Sequence, residues 1–148
     1  MDATKSSDVG HVTADGVRKK MRYAPDAVRR AERAVRCSPF FYKLLAEMRA
    51  NSVSVLAIAE DSGAIKGYTQ QPLSEVAVDS ELMWLAEVGI LRREVDGQGL
   101  TDSFRLTPLG RELVEGWQSQ GCPDRRASVA DYVKNGMARR LRLPEWLI

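Results

Sequence analysis

The chain has 148 residues, 44% of them hydrophobic, and a formal net charge of +2, which suits one core-forming domain with extensions and no run of about 18 apolar residues to span a bilayer. Its only histidine, His11, and its two cysteines, Cys37 and Cys122, are too scattered for a zinc site and assemble no acid–base or nucleophilic group, so neither an enzyme nor a metal or other cofactor is expected. Charge is uneven: residues 17–36 hold eight bases and two acids, residues 37–122 seven bases and twelve acids, and residues 123–148 six bases and three acids.

The opening MDATKSSDVGHVTADG has no apolar core and reads as a tail rather than a signal peptide, so a cytoplasmic protein with no membrane contact is expected. Residues 1–22 are expected to form this disordered tail, which turns basic at Arg18, Lys19, Lys20 and Arg22. In the cytoplasm Cys37 and Cys122 stay reduced by default, a redox-linked disulfide being the alternative. Pro25–Arg36 predicts a helix. Ala27, Val28, Ala31, Ala34 and Val35 form its apolar stripe, and Arg29, Arg30, Arg33 and Arg36 occupy the rest.

Ser38 with Pro39 behind it predicts the cap of a second helix, whose Phe41, Leu44, Leu45 and Met48 follow helical spacing to about Asn51. Ser52–Asp61 fits a strand or a buried helix, because periodicity does not separate them at this length. A helix from Ser54 to Asp61, ended by Ser62-Gly63 and followed by a loop over 62–73, is preferred. Ser74 then caps a helix over Glu75–Val88. A short helix at Leu73–Val78, with a second starting at Asp79 or Ser80, is the alternative.

From Leu82 the order is helix, strand, turn, strand, helix. Leu82, Leu85 and Val88 keep helical spacing, with Trp84 beside them, and Gly89 stops the helix. Strands are expected over Leu91–Val95 and Thr101–Leu106, closed around Asp96–Gly99, with Leu100, Phe104 and Leu106 on the apolar face. Thr107 caps the next helix, with Pro108 at its first position, running to about Ser119. Gly121-Cys122-Pro123 breaks it. Ser128 predicts the cap of a last helix, Val129–Leu141, in which Val129, Tyr132, Val133, Met137 and Leu141 share a face. Trp146-Leu147-Ile148 makes an apolar end.

The segments AEVGILRRE and LTPLGREL within Leu82–Leu113 resemble the end of the recognition helix, the wing and the following helix of MarR-, ArsR- and PadR-like winged-helix regulators. These carry "LxxLxxxGLIxR" before a hairpin and "LTxxGxxL" after it. The resemblance implies a mainly α fold with a small β-hairpin: a winged helix-turn-helix over residues 23–122, with extra N- and C-terminal helices. Residues 123–148 supply the last amphipathic helix and the apolar end. The resemblance also implies a dimeric, DNA-binding transcription regulator with its recognition helix in the major groove of double-stranded DNA. One departure is plain: about a dozen residues separate the two helices that a helix-turn-helix joins by three or four.

Three surfaces are candidates for that contact. Arg18, Lys19, Lys20, Arg29, Arg30 and Arg33 on the basic arm suit phosphates. Arg92, Arg93 and Arg105 lie on the wing, although its turn carries Asp96 and Asp102. The candidate recognition helix offers Glu75, Asp79, Glu81 and Glu87 and no Lys or Arg, a poor match to base edges. Dimerisation is assigned to Tyr132, Val133, Met137, Leu141 and Trp146. The alternative is a winged helix used as an adaptor or assembly factor, binding a protein through the acidic helix Glu75–Val88 and no DNA. Fold alone does not decide between the two.

Overall fold

A computed structural model describes residues 23–121 and 127–141. The chain is mainly helical with a small antiparallel sheet. The elements are α1 (Pro25–Cys37), α2 (Tyr42–Ala50), β1 (Val53–Ser54), α3 (Val55–Ile58), α4 (Glu60–Lys66), α5 (Glu75–Glu87), β2 (Leu91–Asp96), β3 (Gly99–Leu106), α6 (Pro108–Gln120) and α7 (Val129–Leu141). Among the described residues no helix is long and apolar enough to cross a membrane.

The helix signals act largely where the residue chemistry puts them. Ser74 Oγ accepts the Ala77 N–H at 3.1 Å and starts α5 as one helix, so the split at Leu73–Val78 does not occur. Gly89, with φ of 93°, reverses the chain after it. Thr107 Oγ1 accepts the Gly110 N–H at 3.0 Å and opens α6, which has Pro108 in its first turn. Ser128 and Asp131 cap α7 reciprocally: the Ser128 hydroxyl accepts the Asp131 N–H, and the Asp131 carboxylate accepts the Ser128 N–H.

Four expectations over residues 38–63 are corrected. Ser38 ends α1 rather than starting α2, its hydroxyl donating to the Val35 carbonyl at 2.8 Å. Consequently α2 begins at Tyr42, and Phe40, extended and bridged to Thr69, takes the buried place expected of Phe41, which is half-buried. The single helix over Ser54–Asp61 is two: Ala59 is extended and Glu60 has φ of 55°, its N–H bonding the Leu73 carbonyl at 2.7 Å. Gly63 therefore lies inside α4, not in a loop. A Cβ there would stand 1.8 Å from the Ile58 carbonyl oxygen, so its hydrogen lets α4 fold back on α3.

The sheet has the order β1-β3-β2. Phe104 lies at its centre, opposite Val53 on one side and Arg93 on the other. Val53, Phe104 and Leu106 join Leu44, Leu45, Met48, Ile58, Val78, Leu82, Leu85, Ile90 and Val114 in one buried core. Removing a buried Leu side chain from water contributes about 1.5–3 kcal/mol. The expected apolar face of β3 stops short: Leu100 and its partner Val95 are 72% and 67% exposed. They lie where the hairpin outruns the core, beyond an irregularity between Arg93 and Val95.

Candidate nucleic-acid interface

Of the nine basic positions expected to meet DNA, the six among the described residues do not form one free cationic face. Arg18, Lys19 and Lys20 lie outside the described residues, as does the apolar end with Trp146. On α1, Arg29 is exposed but paired with Asp26, and Arg30 and Arg33 are half-buried rather than solvated. Burial lowers the Arg33 pKa from its ordinary value, partly offset by Asp131. Arg36 sits between Asp131 at 3.4 Å and Glu32 at 3.8 Å. The cause is α7, which packs along α1 and turns Asp131 toward its arginines.

The hairpin divides its cations by face, as alternation requires. Arg92 is exposed. Arg93 turns inward, ion-pairs with Asp79 at 2.8 Å and stacks over Phe104, 4.9 Å from the ring centroid. Arg105 lies 3.4 Å from Glu94 and donates to the Ala50 carbonyl at 3.1 Å. The tip presents Val95 and Leu100 between the exposed Asp96 and Asp102.

Helix α5 is neither freely acidic nor fully exposed. Leu82, Trp84, Leu85 and Val78 are buried, and Asp79 is held by Arg93. Glu81 is held by Arg139 of α7 at 2.9 Å. The same guanidinium donates to the Ser80 carbonyl at 3.1 Å and hydroxyl at 2.8 Å and stacks over Trp84. The Trp84 indole N–H donates to Asn135 Oδ1 at 2.9 Å. What α5 leaves outward is Glu75, Val76, Ser80, Met83 and Glu87.

The sequence pattern located the stripe of α7 and gave it to dimerisation, but did not show that the opposite, polar side docks on the chain. Asp131, Asn135, Ala138 and Arg139 face the chain, and Ala138 is buried. Val129, Tyr132, Val133 and Met137 are exposed, and the side chain of Leu141 lies outside the description. The positions that tie α7 down, Asn135 and Arg139, were missed because their partners Trp84, Ser80 and Glu81 lie more than fifty residues away. Among the described residues no three metal-binding side chains cluster.

No curated protein and no solved structure matches this chain. A family model does match, over residues 21–139, and so spans α1 through most of α7 and both halves of the helix–hairpin–helix unit. By that match the chain belongs to the Npun_F0494-like family.

Proposed function

We propose that this chain is a winged-helix protein that works by protein contact, a cytoplasmic adaptor that also associates with its own kind. The order α2, β1, α3, α5, β2, β3, with β1 pairing the outer side of β3, supports the winged-helix reading. In that reading α5 takes the recognition-helix place and β2–β3 the wing, while α4 is an insertion between the two helices of the motif. One observation carries the choice of protein over DNA. Arg93 and Arg105 of the wing, and Arg36 beside the α1 arm, are closed onto acids of the same chain. What the tip of the wing offers outward, beyond the exposed Arg92 at its base, is an apolar pair, Val95 and Leu100, flanked by carboxylates. Such a tip repels phosphates and fits a protein surface with an apolar patch bordered by bases. The exposed stripe Tyr132, Val133 and Met137 on α7 supports self-association as a homodimer.

The test is fluorescence anisotropy of the full chain with a labelled random duplex, titrated at low and physiological salt. This reading expects no saturable binding at physiological salt. Sub-micromolar binding that weakens steeply with salt would sink it. It would restore the second reading, a DNA-binding transcription regulator, which two observations favour: Arg92 is exposed on the wing, and Asp79 and Glu81 are already neutralised by Arg93 and Arg139.

A further inference from the structure

We propose that the cavity between α1, α2, α5, α6 and α7 is a binding site for an uncharged, planar aromatic or conjugated small molecule. It stands apart from the adaptor reading above, whose contact surfaces share with it only Tyr132 of the α7 stripe assigned to self-association. The cavity has a volume of about 1050 Å³, the upper end of what small-molecule sites occupy. Five of the chain's ten aromatic residues line it: Phe40, Phe41, Tyr42, Trp117 and Tyr132. Only Phe40 and Trp117 of these are buried, so the other rings are held at the cavity with part of their faces uncovered. Aromatic walls reward a flat ring system through offset and edge-to-face contacts.

Charge sets the rest of the ligand class. Of the lining residues, Arg36 and Glu81 carry the formal charges. Each is already answered within the protein, Arg36 by Glu32 and Asp131 and Glu81 by Arg139. An anion would have to take Arg36 from two carboxylates while standing near Glu81, and a cation would have to displace Arg139. Either leaves a partly buried charge without its partner, which is costly. The Cys37 thiol in the same wall is pushed up by burial and so is uncharged at neutral pH. The Ser38 hydroxyl is spent on the Val35 carbonyl. The wall thus offers ring faces and few unanswered charges, which favours a neutral ring compound over an ion.

The experiment uses the full chain and two probes that share a ring and differ in charge: 2-naphthol, neutral at pH 7, and 2-naphthoate, an anion. Calorimetric titration is expected to show saturable binding of 2-naphthol at about one per chain, at least about tenfold tighter than 2-naphthoate, a difference of about 1.4 kcal/mol. Ala77→Trp, which fills the cavity from the α5 side, is expected to weaken 2-naphthol by about tenfold or more. Independently of any variant, 2-naphthol is expected to slow alkylation of Cys37 by iodoacetamide, read on its own peptide by mass spectrometry. No saturable 2-naphthol binding up to about 1 mM overturns the proposal. So does unchanged alkylation of Cys37 at saturating probe, or full binding by a folded Ala77→Trp chain. Binding of 2-naphthoate as tight as that of 2-naphthol overturns the charge argument and with it the ligand class. If Ala77→Trp does not fold, the Cys37 readout on the unaltered chain decides.

Discussion

At the scale of single residues, the turn from β3 into α6 shows how short-range chemistry and close packing meet. Thr107 caps α6 through Gly110, while its hydroxyl also points at the Gly89 and Ile90 carbonyls. Gly110 sits against the same Ile90 carbonyl: an added Cβ would stand 2.4 Å from that oxygen and 2.9 Å from Leu106 Cδ2. Gly110→Ala is therefore expected to destabilise by about 1–3 kcal/mol through overpacking, despite the better helix propensity of Ala. A urea midpoint unchanged from wild type would show that the junction gives way freely. Leu85, fully buried on α5, is expected to cost about 2–5 kcal/mol when cut to Ala, read by the same titration. Both positions sit in the segment whose sequence spoke most clearly. The motif showed that a glycine stood after Leu109, but not that its reason is the nearness of a carbonyl from the opposite side of the hairpin.

At the scale of elements, α7 is the informative case. Its docked side is polar, a row of Asp131, Asn135 and Arg139 with Ala138 between, and its apolar side faces outward. Exposed or half-exposed ion pairs hold a helix weakly, each worth about 0–1 kcal/mol. The attachment should therefore respond to pH. The Asp131 carboxylate accepts the Ser128 N–H and lies beside Arg36, which together hold its pKa below the ordinary value against the opposing effect of burial. A carboxylate depressed by folding stabilises above its unfolded pKa of about 3.9, and that contribution is lost as pH falls through the lower folded value. Acidification below about pH 4 is expected to loosen α7. The Trp84 indole N–H, bonded to Asn135, reports it by nuclear magnetic resonance. Asp131→Asn is expected to weaken α7 at neutral pH and to remove that pH step. A step of the same size in the variant would assign it to another group.

The ends of elements were readable where a side chain caps its own helix: Ser74, Thr107 and Ser128 all do. They were misread where a distant contact set the boundary. Ser38 carries the chemistry of an N-cap, yet the bridge from Phe40 to Thr69 keeps the next residues extended. Ser62-Gly63 has the composition of a turn, yet packing of α4 against the Ile58 carbonyl makes it helix.

At the scale of the whole molecule, the question is what the outer surface offers. The exposed Tyr132, Val133 and Met137 predict that the full chain self-associates through α7. Val133→Glu with Met137→Glu is expected to give a monomer of unchanged helical content, checked by sedimentation velocity at micromolar concentration. An unaltered chain that sediments as a monomer there would remove the homodimer from the reading.

The sequence by itself determined the helix–hairpin–helix unit, its caps, the apolar spacing of the buried Leu44, Leu45, Met48, Leu82, Leu85, Val88, Phe104 and Leu106 and the excess of acids in the middle of the chain. Period and capping act over a few residues, so they are written locally. Only the tertiary structure decided which charges remain available. Arg93 meets Asp79 across fourteen positions, Arg139 meets Glu81 across fifty-eight, and Arg36 meets Asp131 across ninety-five. The same packing turned the polar side of α7 inward and gathered aromatic residues from α2, α6 and α7, with the segment before α2, around one cavity. An ion pair depends on where two chain segments come to rest, and no local pattern records that distance.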